Sequence, residues 1–196
     1  MELPKGDLII HAGDVSSRGL KSEVLDFLDW FGALNFPYKI FIAGNHDFYF
    51  EKEKKEEIEK VIPSNVIYLN DSGITIEGIK IWGSPIQPWF YDWAFNRQRG
   101  EEIAKHWALI PEDTNILVTH GPAFGLLDKT FREEVVGCKD LLEKIKKVQP
   151  QFHIAGHIHE AYGQVEKDGT NFINASVLDL NYRLVNKPVE FDIDGS

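Results

Sequence analysis

Cysteine and long hydrophobic runs are almost absent from this sequence. Cys138 is the only cysteine in 196 residues, which excludes an intramolecular disulfide and a thiolate zinc site and is typical of a reduced intracellular protein. No apolar stretch approaches the roughly 20 residues that a bilayer-spanning helix needs. We therefore expect a cytoplasmic protein without a membrane partner.

Positive charge is scarce as well. Lys and Arg number 21 against 31 Asp and Glu, a formal net charge of -10. Proteins that bind long nucleic acids use basic faces to release counterions, and this composition offers none. A long nucleic acid is therefore not expected as a partner, whereas a small anionic substrate is compatible with cations that reverse the local field.

Four short apolar runs each end in a cluster of Gly with His, Asp or Asn, at residues 8–14, 39–47, 115–122 and 152–159. Such short, β-branched runs are typical of buried strands. The apolar spacing over residues 22–34 predicts a helix, and a strand–helix–strand order predicts a largely parallel sheet. Alternation at residues 73–82 and 162–174 around Gly-containing turns predicts hairpins and a second, more antiparallel sheet. No linker is evident, so we predict a single domain over residues 1–196.

Metal-binding side chains follow these predicted strands. Ligands of open α/β sheets bind beyond the carboxyl ends of the strands, so the side chains there should converge: Asp14, Asn45, His46, His120, His157 and His159. Carboxylate, amide and imidazole ligands suit manganese, iron, zinc or nickel. The alternative for Asp14, followed by Ser16 and Ser17, is a helix cap.

These motifs resemble those of a known family. Gly13-Asp14, Gly44-Asn45-His46-Asp47, Thr119-His120-Gly121 and Gly156-His157-Ile158-His159 occur in the order found in calcineurin-like metallophosphoesterases. The resemblance covers residues 8 to at least 176 and is greatest to the branch that includes the vertebrate fetal-brain phosphodiesterases. It implies a four-layer α/β/β/α sandwich of two mixed β-sheets flanked by helices. It also implies hydrolysis of phosphodiesters or phosphomonoesters, with nucleotides, including cyclic ones, among the candidate substrates.

The resemblance assigns a role to each matched residue. Asp14 would bridge two metal ions, with manganese favoured, and hold a bridging hydroxide for attack on phosphorus. Asn45, His120 and His157 would complete the shell of the second ion, and His159 would bind the first. His46 would act as the general acid for the leaving oxygen.

Other residues keep two interpretations. Asp47 either orients His46 or serves the turn, and the aromatic residues 89–93 either stack on a nucleobase or pack at the rim. The histidines outside the motifs are expected to be ordinary hydrogen-bonded or surface residues, with His11 the nearest to Asp14: His11, His106 and His153.

One element of the family pattern is missing. The family places an Asp-x-His motif on a strand before Gly13-Asp14, and this sequence contains no Asp-x-His. The first ion would then keep only Asp14 and His159, which leaves one or two ions per chain open. A downstream start codon, a truncated chain and a natural one-metal form each explain the pattern, and subunits that exchange strands could fill the gap. A catalytically silent protein that binds a nucleotide or a protein partner is the alternative function.

Overall fold

A computed structural model describes residues 3–194. The strands are β1 (Leu8–Ala12), β2 (Tyr38–Ile42), β3 (Ile67–Tyr68), β4 (Ser72–Ile76), β5 (Ile79–Ser84), β6 (Gln87–Pro88), β7 (Asn96–Arg97), β8 (Ile116–Thr119), β9 (Phe152–Ala155), β10 (Gly163–Lys167) and β11 (Thr170–Asn174). The helices are α1 (Lys21–Ala33), α2 (Phe48–Lys52), α3 (Lys55–Val61), α4 (Glu101–Ala108) and α5 (Lys139–Val148).

The first sheet has the order β1-β2-β3, and both of its strand pairs are parallel. Helix α1 connects β1 to β2 and buries four side chains at helical spacing, as predicted: Val24, Phe27, Leu28 and Phe31. A side chain from within the helix satisfies free backbone donors at its start, because the Glu23 carboxylate accepts from the N–H groups of Arg18 and Leu20.

The second sheet has the order β10-β11-β9-β8-β5-β4. Strands β11, β9, β8 and β5 pair in parallel, while the outer strands β10 and β4 are antiparallel to their neighbours. The four motif strands are therefore split between two sheets, and the hairpin strands extend the sheet that holds β8 and β9. A second sheet with antiparallel strands is present, as predicted, and it also includes β8 and β9, because a short apolar run does not encode which sheet it joins.

Both predicted hairpins are present. Glu77 and Gly78 connect β4 to β5 with φ of 50° and 83°, and Asp168 and Gly169 connect β10 to β11 with φ of 52° and 82°. Two consecutive residues with positive φ form the turn whose twist matches that of antiparallel strands.

The two sheets pack face to face over an aliphatic core. Ile40 and Ile42 of the first sheet share this core with Ile81, Ile116 and Ile154 of the second. A second cluster covers the outer faces, where side chains of α1, α4 and α5 pack on the sheets. The layers follow the order α/β/β/α, and the predicted four-layer fold is confirmed.

Strand β1 has one neighbour, β2, among residues 3–194. A groove of about 1160 Å³ lies beside it, lined by aliphatic side chains of both sheets and by residues 188–194, and it reaches Asp14 and His157 at one end. No helix within the described residues has the length and apolar character required to cross a membrane.

Candidate metal centre

The candidate site lies where the carboxyl ends of four strands meet. Asp14 follows β1 and His46 follows β2 in the first sheet, while His120 follows β8 and His157 follows β9 in the second. Ligand atoms of Asp14, His120 and His157 all lie within 4.8 Å of one another. Packing of the two sheets therefore brings together side chains that are more than 100 residues apart in sequence.

His120 is the centre of this cluster and is buried. Its Nδ1 lies 2.9 Å from the carbonyl oxygen of Ala12, which can only accept, so Nδ1 carries the proton and Nε2 is left with a lone pair. That Nε2 lies 2.8 Å from Oδ1 of Asn45 and 3.4 Å from Oδ2 of Asp14. In the neutral ring three acceptor atoms therefore face one another, an arrangement that either a proton on Nε2 or a metal ion among them would satisfy.

The electrostatics of the cluster stabilise charge on Asp14 and on His120 but not on His157. Burial raises the pKa of Asp14, but the neighbouring His120 and the backbone of His46 outweigh it and hold that pKa well below its usual range. Burial also opposes protonation of His120, yet the Asp14 carboxylate raises its pKa above the ordinary value. Burial, with a contribution from nearby His120, lowers the pKa of His157 to about 3. His157 is therefore neutral at pH 7, as a metal ligand must be.

Two residues of the cluster are among the eleven non-glycine residues with positive φ in the described part of the chain. Asp14 and His157 have φ of 57° and 67°, in the left-handed region that few residues other than glycine adopt. A Cβ on Gly44 would overlap the Asp14 carboxylate and lie 2.6 Å from Cε1 of His120. Glycine at position 44 is thus required for the two loops to approach each other.

The carboxylate of Asp47 joins the two loops of the first sheet. It accepts hydrogen bonds from the backbone N–H groups of Val15, Ser16 and Gly44 at 2.7–3.1 Å, and from the hydroxyl of Ser16 at 2.6 Å. These contacts orient the loops that carry Asp14 and His46. Of the two interpretations for Asp47, the loop contacts account for its hydrogen bonds.

His46 lies at the mouth of the site. Its Nδ1 lies 2.8 Å from the carbonyl oxygen of Ser17, so this nitrogen donates and Nε2 remains available. The backbone N–H of His46 donates to Oδ1 of Asp14 at 3.0 Å. The His46 ring packs 4.4 Å from that of Trp93 and lines a cavity of about 680 Å³.

His159 is not part of the group formed by Asp14, His120 and His157, whose ligand atoms lie within 4.8 Å of one another. It lines the same 680 Å³ cavity as Asp14 and His46. Its Nδ1 donates to the carbonyl oxygen of Asp179 at 3.0 Å, which leaves Nε2 free. The structure therefore brings Asp14, Asn45, His120 and His157 together, and it places His159 outside this group. Their roles as ligands stay predictions.

The remaining histidines and the aromatic stretch have packing partners. His153 contacts Thr119 Oγ1 at 2.8 Å, His106 contacts Asp71 at 2.6 Å, and His11 packs against Phe27.

Two aromatic residues of the stretch 89–93 flank the site. The Phe90 ring lies 5.4 Å from that of His157, and the Trp93 ring packs against His46. Trp89 and Tyr91 are exposed. Rim packing therefore describes the two flanking rings.

Three backbone carbonyl groups and one tyrosine were not foreseen from the sequence. The carbonyl groups of Ala12, Ser17 and Asp179 determine which nitrogen of His120, His46 and His159 is free. Tyr182 lies beside His46 and His159. A backbone group carries no signal in the residue types, and residues 176–187 show no periodicity that would have drawn attention to Tyr182.

Comparisons with known proteins identify similar chains. A family model described as calcineurin-like phosphoesterase matches residues 2–161. Metallophosphoesterase domain-containing protein 1 of Homo sapiens and that of Mus musculus are each 44% identical over 216 residues, which cover 98% of this chain. The chain spans 66% of the length of each of these relatives, just under two thirds. The solved structure of a phosphopantetheinyl hydrolase of Mycobacterium tuberculosis has a TM-score of 0.62 at 16% identity, covering 92% of this chain and 83% of that one, a likeness of fold alone.

Proposed function

The chain belongs to the calcineurin-like phosphoesterase family, and on that premise we propose that it is a metal-dependent hydrolase of small organic phosphate esters. The predicted family and its branch are thereby confirmed. The observation that carries the proposal is the convergence of Nε2 of His120, Oδ1 of Asn45 and Oδ2 of Asp14 on one point. A divalent cation would satisfy all three acceptors of the neutral cluster, and the family membership supports it over a proton on Nε2.

Asp14, Asn45, His120 and His157 would hold the divalent ion. Their mixture of one carboxylate, one amide oxygen and two imidazoles suits manganese, our first choice, as well as iron, zinc or nickel. A bound ion of this kind supplies charge against the phosphoryl oxygens and lowers the pKa of water. His159, which lies outside this group, would contribute to a second ion if one binds.

His46 would manage the proton of the leaving group. Its Nδ1–H is engaged by Ser17, so Nε2 is the atom that can exchange a proton with the substrate. The ring cannot turn freely, because Trp93 packs against it. This fixed orientation favours a general-acid role over a ligand role for His46.

The substrate we propose is a small phosphodiester or phosphomonoester, with nucleotides, cyclic ones included, as one candidate class. A cavity of about 680 Å³ beside Asp14 and His46 has room for a small organic group. The net charge of -10 argues against a long polyanion. The reduced state expected of Cys138 supports a cytoplasmic location as part of the same proposal.

Turnover of bis(p-nitrophenyl) phosphate tests the proposal. We expect release of nitrophenolate by the protein with manganese, its loss with a chelator, and its loss in His120→Ala. The control is Leu109→Ala, which alters an exposed residue of the chain and should keep full activity. If the protein binds manganese but cleaves neither this diester nor p-nitrophenyl phosphate with any of the four metals, the silent binding protein is the better assignment.

A further inference from the structure

An exposed tyrosine lies beside the candidate metal centre. Tyr182 is 64% exposed, yet its ring centroid lies 6.3 Å from that of His46 and 5.6 Å from that of His159. Its φ is 56°, a left-handed conformation that is unusual for an aromatic residue. Such conformations persist where the surrounding structure enforces them and are concentrated at functional sites.

The turn that carries Tyr182 enforces this position. The carboxylate of Asp179 accepts from the backbone N–H groups of Asn181 and Arg183 at 2.8 and 3.0 Å, and from the Arg183 guanidinium. The carbonyl oxygen of Asp179 accepts both from the N–H of Tyr182 at 2.9 Å and from Nδ1 of His159 at 3.0 Å. One backbone atom thus positions Tyr182 and orients a residue of the site.

Tyr182 forms part of the wall of the 680 Å³ cavity. Trp30, 47% exposed, lines the same cavity, as do Asp14 and His46. The cavity therefore combines aromatic side chains with a place for the phosphoryl group. Aromatic side chains bind planar rings by offset or edge-to-face stacking, which an alkyl group cannot reproduce.

We propose that Tyr182 is a specificity-determining residue that stacks on a planar aromatic group of the ester, an aryl ring or a nucleobase, while the phosphoryl group lies at Asp14 and His46. The inference rests on the proposed function, because it needs the phosphoryl group at that end of the cavity. It adds a preference that the metal ligands do not supply, since they contact only the phosphoryl group.

Two phosphonates that cannot be hydrolysed test the proposal by binding alone. Phenylphosphonate and methylphosphonate carry the same anionic group, and isothermal titration calorimetry with manganese gives both affinities. Tyr182→Asn removes the ring while keeping a residue type that tolerates positive φ. We expect it to weaken phenylphosphonate binding about tenfold and to change methylphosphonate binding less than about twofold. Tyr182→Phe should bind both like the original protein.

Tyr91 provides a matched control. It is also an exposed tyrosine with positive φ, 75% exposed with φ of 46°, and it lines neither the cavity nor the groove. Tyr91→Asn should leave both affinities unchanged. Equal weakening of both phosphonates in Tyr182→Asn, or no change in either, would overturn the assignment and leave the proposed function intact. If the original protein binds neither phosphonate and cleaves no ester, the proposed function and this inference are both wrong.

Discussion

Replacing Gly44 by alanine tests the close approach on which the metal centre depends. The added methyl group would overlap the carboxylate and backbone nitrogen of Asp14 and lie 2.6 Å from Cε1 of His120. Overpacking of this kind costs about 1–3 kcal/mol. For a domain near this size each kcal/mol lowers the melting temperature by about 2–4 °C. Melting in the presence of a chelator should therefore fall by about 2–12 °C.

The same methyl group should also weaken manganese binding, because it displaces two of the proposed ligands. Manganese at a hundredfold excess over its Kd stabilises a protein by about 2.7 kcal/mol, or about 5–11 °C here. A hundredfold weaker site would keep about 0.4 kcal/mol of that stabilisation. We expect Gly44→Ala to lose most of the manganese-dependent rise in melting temperature.

Gly32→Ala is the matched control. Gly32 lies in α1, and a Cβ there would be in ordinary contact with Pro63, 3.5 Å from its Cγ. Alanine in place of glycine in a helix should stabilise the chain by about 0.5–1 kcal/mol. It should leave the manganese-dependent rise in melting temperature unchanged. If manganese raises the melting temperature of Gly44→Ala as much as that of the original protein, Asp14 and His120 do not hold the ion, and the reasoning is refuted.

Three further predictions concern individual histidines and the number of ions. His46→Ala should lower kcat about 10²–10⁴-fold with little change in bound metal, because the backbone N–H that holds Asp14 remains. His120→Ala should lower both kcat and the amount of bound metal. If instead His46→Ala loses the metal and His120→Ala keeps it, the two residues have each other's roles. After mild dialysis, elemental analysis should find closer to one ion per chain than two, because His159 lies outside the cluster; a firmly held pair would show misplaced ligands. Burial lowers the pKa of His153 from 6.5 to about 3 in the folded chain. Between pH 6.5 and 3 the unfolded chain therefore binds a proton at His153 that the folded chain does not, so the free energy of unfolding falls as the pH drops through this range. In urea titrations between pH 6 and 5, the free energy of unfolding of His153→Gln should depend on pH less steeply than that of the original protein, by about 1.4 kcal/mol per pH unit. Equal pH dependence in the two proteins would show that His153 is not the cause.

Local elements of the fold could be predicted because local patterns determine them. The apolar spacing of α1 predicted its four buried residues, and Asp168-Gly169 predicted a hairpin turn. Sheet membership could not be predicted in the same way. Strand β8 pairs with β5 and β9, and this arrangement depends on the packing of distant segments rather than on residues 116–119 themselves.

The candidate site, too, could be predicted from the sequence only in part. Its side chains could be predicted because residue types at strand ends carry chemical information, as at His120 and His157. Their protonation could not, because it depends on which backbone carbonyl lies next to each ring. Ala12 is the example: its side chain suggests nothing, yet its carbonyl group fixes the proton of a neutral His120 on Nδ1.

The charge bound at the candidate metal centre should affect both the stability of the fold and its function. Asp14 and His157 are held in left-handed conformations that cost about 1–3 kcal/mol for most residues, although aspartate tolerates them better. The hydrogen bond from the N–H of His46 to Asp14 offsets part of that cost. The facing lone pairs around His120 remain, and either a proton on Nε2 or a divalent ion can separate them. A proton on Nε2 would satisfy one acceptor pair, whereas a divalent ion would carry twice the charge and could be held by Asp14, Asn45, His120 and His157 together. Ion binding should therefore stabilise the folded chain and prepare the phosphoryl site in the same step.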